Sequence, residues 1–255
     1  MATFGIPAAK SEPAIREDLA AACRIFASYG WANYLLANQH LSLRLPGATT
    51  SVVTFFINPP GVPFGDVTAS VLVRVHVHVH PEGHVEVRGL ASEDFLAAID
   101  LHVQLHLRHA TNDDLQCFFQ AQTIPCAAVA CMNCGVLPIC QASCFALQGG
   151  AVGWPGVDID ECPISTTHRV VLSQAFGTLT AGRAAAEAFH YMFYTTSACE
   201  MQVGACAAQL RHLSFPPEAV AITHFATTME PFQRQGLGHD IFEALRRSLP
   251  LNYRN

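Results

Sequence analysis

Apolar residues recur along this chain with two periods, and the switches between them mark out alternating helices and strands. From Glu12, EPAIREDLAAACRIFAS places Leu19, Ala22, Cys23, Ile25 and Phe26 at helical spacing behind acidic first-turn residues, and Gly30 ends the segment. HLSLRLPG then alternates as a strand and stops at Pro46-Gly47, and SVVTFFINPPG is a β-branched and aromatic run closed by Pro-Pro-Gly. A short helical turn is predicted over Asp66–Ser70. VLVRVHVHVH alternates strictly, turns at Pro81-Glu82-Gly83 and pairs with HVEVRG.

Residues 92–116 carry Leu96, Ile99, Leu101, Leu105 and Leu107, a helix running into a polar loop. CFFQ reads as a short buried strand, PCAAVACMNCG as a helix ending in glycine, and VVLSQAFGTLTAG as a buried strand with a turn. A long amphipathic helix follows from Arg183 to Leu210, and the tail IFEALRRSLPLNYRN is a second helix. Strands and helices mix over the whole length. The expectation is an N-terminal arm with the start of the first helix over 1–19 and a single α/β domain over 20–255.

Composition narrows the function. The chain has 255 residues, 51% hydrophobic and 13% charged, with a net charge of −6, so it can build a real core. It shows no basic cluster to hold a phosphate backbone, which argues against nucleic acid as a partner. Lys10 is the only lysine and sits in a Pro/Glu-flanked arm, which closes the Schiff-base route. No charge occurs between Asp114 and Asp158, but Gln120, Gln122, Pro125, Asn133, Gly135 and Pro138 break that stretch below membrane-spanning length. The charged first twenty residues do not read as a secretory signal, so a soluble cytoplasmic protein is expected. Cys23, Cys131 and Cys206 lie among small or apolar residues and are expected as buried thiols.

Five blocks in order carry a resemblance: GWANYLLANQHLSLRLPG, FFINPPGVPFGDVTASVLVRV, GVLPICQASC, AFGTLTAGRAAAEAFHYMFYTTSACEMQVGA and FEALRRSLPLNYRN. Together they resemble the class II aldolase/adducin family from about Ala20 to the C-terminus. That resemblance implies a three-layer α/β/α sandwich around a mostly antiparallel sheet, and a homo-oligomer, commonly a tetramer, with sites at subunit interfaces. Active members hold a divalent metal through an H-x-H pair and a third histidine in an N-H-G motif. At those positions this chain has Gln120-Ala121-Gln122 and Ala175-Phe176-Gly177. The resemblance therefore implies that the metal site is lost and that no cofactor is required.

Gln120 and Gln122 become candidate hydrogen-bond donors to a carbonyl, with Asp100 or His40 moving a proton. Asp100 falls next to the counterpart of the family's catalytic carboxylate, while Glu93 and Asp94 suit a helix N-terminus. Asn38, Ser42 and Arg44 match the block that borders the family's substrate pocket, and Asn58 and Gly61 match its anion-binding loop. Pro59 and Pro60 remove N–H groups from that loop, which points to a less polar ligand. Cys126, Phe176, Tyr191 and Tyr194 complete the candidate binding set, with Trp154 beside them. The leading expectation is a metal-independent enzyme performing cyclisation, dehydration, isomerisation or aldol-type chemistry on an apolar small molecule in specialised metabolism. The alternatives are a non-catalytic, adducin-like scaffold and an ordinary metal aldolase.

Three further constellations stand outside that set. His76, His78 and His80 share one strand face with His84 on the next strand, either a solvent-facing surface over buried valines or a metal patch. His102, His106 and His109 form a stripe at i, i+4 and i+7, without an H-E-x-x-H arrangement. Cys131, Cys134, Cys140 and Cys144 are spaced too tightly for a zinc ribbon.

Overall fold

The structure, a computed structural model, describes residues 10–32, 39–207, 213–217 and 236–255. Its centre is one eight-stranded sheet: β1 (His40–Arg44), β2 (Val52–Ile57), β3 (Val73–Val79), β4 (Val85–Arg88), β5 (Cys117–Ala121), β6 (Val152–Trp154), β7 (Val170–Ser173) and β8 (Gly177–Gly182). The strand order is β4-β3-β2-β1-β5-β8-β7-β6, and β6 with β7 is the parallel pair in an otherwise antiparallel ladder. His40 lies opposite Gln120 and Ser42 opposite Phe118. Alternation along β1 and β5 therefore sends His40, Ser42, Arg44, Phe118 and Gln120 to one face, and Leu41, Leu43, Cys117, Phe119 and Ala121 to the other.

The second face is covered by α1 (Glu12–Ser28), α5 (Ala185–Cys206) and α6 (His239–Arg246), whose Leu19, Phe26, Phe189, Met192 and Phe242 share a core with Leu41, Phe56 and Phe119. Two short helices, α3 (Ile124–Ala130) and α4 (Gln141–Gln148), extend this layer over Val170 and Leu172 of β7. The first face is covered by α2 (Glu93–Arg108), with Ile99 and Val103 on Val53, Phe55 and Val75, and Leu101 and Leu105 on Phe118 and Leu179. Ser92 caps α2 by accepting from the Phe95 N–H at 3.2 Å. Arg246 of α6 ties the C-terminal segment to α1 through Asp18 at 2.6 Å and Glu17 at 2.9 Å. The result is a three-layer α/β/α sandwich.

Several elements differ from the sequence pattern. The helix expected over PCAAVACMNCG stops at Ala130, and the pattern predicts neither α4 nor β6, because their short apolar runs carry no decisive period. VVLSQAFGTLTAG forms two strands about a tight turn, where Ser173 Oγ accepts from the N–H groups of Ala175 and Phe176. Gly177 closes that turn at φ +78°, and a Cβ there would stand 2.8 Å from the Ala121 carbonyl oxygen. The predicted turn at Asp66–Ser70 is a single 3₁₀ turn at Phe64–Asp66. In the tail, Pro250 separates α6 from a 3₁₀ turn over Leu251–Arg254. Cys131 is exposed at the end of α3 and Cys206 is half-buried near the end of α5, which corrects the expectation of buried thiols there; Cys23 is buried. No described helix is long and apolar enough to cross a membrane.

Candidate functional site

The polar face of β1 and the histidine stripe of α2 meet in a buried seam. Ser42 Oγ lies 2.7 Å from His102 Nδ1 and 2.8 Å from His106 Nε2, and all three residues are fully buried. A hydroxyl has one proton to give, so one imidazole accepts from Ser42 and the other donates to it, which holds the two rings in complementary protonation patterns. The His106 ring stacks on Phe55 at 4.3 Å and meets Phe118 edge-on at 4.9 Å. Arg44 continues the seam, donating to the carbonyls of His109 and Asn112 and standing 3.4 Å from Asp113. Its guanidinium satisfies carbonyl oxygens at and just beyond the end of α2, a structural rather than an anion-binding posture.

Burial sets the charge of this seam. The His40 imidazole is lowered to about 4 by desolvation, against a weaker opposing hydrogen bond with the Asn58 backbone. Burial also holds His102 and His106 well below the usual histidine range. Protonation of one ring would further oppose that of the next, His40 for His102 and His102 for His106, and the Arg44 guanidinium adds to this at His106. The seam is a set of neutral imidazoles at pH 7.

At the head of the seam lie Gln120, Gln122 and Phe176, the residues that the resemblance sets in place of the family's metal ligands. Gln120 is buried and donates from Nε2 to the Phe176 carbonyl at 2.9 Å. The Phe176 ring stacks on Trp154, with centroids 5.2 Å apart and planes within 12°. Gln122 is half-buried, and its Cβ lies 3.2 Å from where a side chain on Gly177 would begin. One amide turned to a carbonyl, a second amide and an aromatic ring do not form a donor set for zinc, so the residues present do not fit the family's metal. His40 Nδ1, His102 Nε2 and Gln120 Oε1 are buried here without a hydrogen-bond partner of normal geometry among the described residues.

The other predicted site residues are dispersed. Asp100 is half-buried on α2 and accepts from Gln104 at 3.3 Å; the residue of that helix lying against Gln120 is His102. Asn58 is a structural brace, accepting from the Leu41 N–H at 2.8 Å and donating to the Gln39 carbonyl at 2.9 Å. Gly61 sits at φ +81° in an open turn. Cys126 is buried between α3 and α5 beside Thr196, and Tyr191 and Tyr194 belong to that same helical layer, across the sheet from the Gln120 side chain. Asn38 lies outside the described residues. His102 and His106 fall outside the predicted set, although their i, i+4 spacing is visible in the sequence. What the sequence hides is that β1 presents Ser42 between them.

Two cavities lie elsewhere among the described residues. A groove of ≈ 560 Å³ runs between the start of α1 and the C-terminus, lined by Glu12, Arg16, Ser70 and Arg254. A small cavity of ≈ 30 Å³ lies among Val129, Met132 and Leu172. Neither reaches Gln120.

Comparison with known proteins agrees with this architecture. Rat beta-adducin is 27% identical over 96% of this chain, which spans 35% of that protein's length. An aldolase II superfamily protein from Pseudomonas syringae superposes with a TM-score of 0.73 at 28% identity, covering 96% of both chains. An L-fuculose 1-phosphate aldolase from Glaciozyma antarctica shares the fold, with a TM-score of 0.74, 21% identity and coverage of 99% and 98%. The family model described as Class II Aldolase and Adducin N-terminal domain matches residues 17–203, and the chain belongs to that family.

Proposed function

We propose that this chain is a single class II aldolase-type domain that has left metal-dependent aldol chemistry and serves as a non-catalytic assembly module in a homo-oligomer. The observation that carries this reading is the Gln120–Phe176 hydrogen bond, which commits one of the residues that the resemblance sets in place of a metal ligand to the chain's own backbone. The likeness to adducin over almost the whole chain supports it, although the chain spans only about a third of the adducins' length. The test pairs an assay for cleavage of sugar phosphates, L-fuculose 1-phosphate among them, with sedimentation equilibrium. A discrete homo-oligomer and no zinc-stimulated cleavage are expected. Zinc-dependent turnover, or a strictly monomeric chain, would refute the reading.

One observation favours a second reading. His40 lies opposite Gln120 and its ring stands 5.8 Å from that of His102, and this buried neighbourhood of two imidazoles and an amide is an acid/base and hydrogen-bonding set suited to a carbonyl on an apolar molecule. On this reading the domain performs metal-independent cyclisation, dehydration or isomerisation in specialised metabolism. It requires conversion of a small molecule by the chelator-treated chain that His40→Ala or Gln120→Ala abolishes.

A further inference from the structure

The β3–β4 hairpin carries a side-chain cluster that neither reading above uses. Valines 75 and 77 are buried under α2, so alternation turns His76 and His78 outward, away from that helix. His80 follows one residue beyond the strand on the same alternation. His76 is engaged with Thr54, its Nδ1 3.1 Å from the hydroxyl. The strand register sets Glu86 directly opposite His78. The turn then brings His80 back over the same carboxylate, its Nε2 3.4 Å from Glu86 Oε2. The His78 and His80 rings stand 4.3 Å apart, and the His84 ring stacks on His80 at 5.6 Å.

From these contacts we propose that His78, His80 and Glu86 form a surface site for a divalent transition-metal cation of the zinc class, separate from the family's lost metal position. One donor atom from each of the three lies within 4.8 Å of the other two. Zinc with donors at about 2.0–2.1 Å sets adjacent tetrahedral ligands roughly 3.4 Å apart. The widest pair therefore has to close by on the order of 1 Å, a small χ rotation for one exposed and two half-buried side chains. Two imidazoles and one carboxylate are a borderline-soft set that favours zinc, nickel or copper over magnesium or calcium. Arg88 orients the carboxylate, since its Nε donates to Glu86 Oε1 at 2.7 Å and leaves Oε2 to face the histidines. The guanidinium is also a nearby positive charge, but it is solvent-exposed and screened. Three protein ligands leave a fourth position open to water.

Cobalt(II) titration of the full, reduced chain tests this, because cobalt reports its ligands by colour. One equivalent is expected to bind with weak d–d bands and no sulfur-to-cobalt charge transfer. His78→Ala/His80→Ala should weaken that binding at least about 100-fold and Glu86→Gln about 10-fold, with circular dichroism unchanged because none of the three side chains belongs to the buried core. Zinc should displace the cobalt stoichiometrically. The absence of a stoichiometric site, undiminished binding in the double variant, or an intense thiolate band from the exposed cysteines would each overturn the assignment.

Discussion

Gln120 and Phe176, 56 residues apart, are joined by a 2.9 Å hydrogen bond from a side-chain amide to a backbone carbonyl. The bond ties the end of β5 to the β7–β8 turn. It commits the Gln120 amide nitrogen to the protein's own backbone.

Truncating Gln120 should therefore register as instability. Gln120→Ala strips the Phe176 carbonyl of its donor and empties a buried position, for an expected loss of about 1–3 kcal/mol in urea unfolding. Gln122 is only half-buried, and Gln122→Ala should stay within about 0.5 kcal/mol. Equal effects at the two positions would show that the asymmetry between them is wrong.

Ser42 supports two histidines with one hydroxyl. Ser42→Ala leaves His102 Nδ1 and His106 Nε2 buried without a partner, and the expected cost is about 2–4 kcal/mol, more than an ordinary buried Ser→Ala change. Replacing His102 as well should cost less than the sum of the two single changes, since the groups share one network. A double-mutant cycle in denaturant measures that coupling; strict additivity would mean that the seam does not act as a unit.

The pH dependence of stability follows from the same seam. His40 and His190 are lowered to about 4, and His102 and His106 lie well below the normal value, in each case chiefly through burial. The groups facing them are other histidines and the Arg44 guanidinium, which oppose protonation further, while His190 packs against Phe145 and Tyr194. In the unfolded chain these imidazoles titrate near about 6.5, so on acidification the unfolded state takes up protons first. Stability is fully present above that value and is lost as pH falls toward 4, by up to about 1.4 kcal/mol per pH unit for each histidine. Urea midpoints should be level between pH 8 and 7 and should drop steeply below about 6.5. A midpoint that holds or rises between pH 7 and 5 would contradict neutral burial of these rings.

How much of this is legible in the sequence depends on whether a feature is local. The period-two run VRVHVHV and the period-3.6 run of α1 name their own elements, because one face of each is buried continuously. The glutamines and the phenylalanine that the resemblance sets in place of metal ligands are equally plain, being a matter of residue type. The seam is not. His102 and His106 are visible as a helical stripe, and Ser42 as one polar residue in a strand, but their meeting depends on which face of β1 turns toward α2, a tertiary fact. Arg44 and Asn58 illustrate the converse: each matches a substrate-side block, yet each spends its hydrogen bonds on backbone groups of its own fold.

Histidine placed at positions 120, 122 and 176 tests whether the fold still supports a metal site there. Positions 120, 122 and 176 still converge, since Gln120 bonds to Phe176 and Gln122 Cβ lies against Gly177. Gln120→His/Gln122→His/Phe176→His should therefore rebuild a three-imidazole site with an open position. The test belongs in a His78→Ala/His80→Ala background, so that zinc at the hairpin cannot be counted as zinc at the rebuilt site. Without metal the triple variant should be less stable, because the Phe176 carbonyl loses its donor and the stack on Trp154 loses a ring. With zinc it should gain one bound ion per chain and recover stability in proportion to the logarithm of zinc concentration. Calorimetric unfolding with and without zinc measures both effects. If no zinc is gained, the β5 end and the β7–β8 turn do not hold the spacing of a metal site.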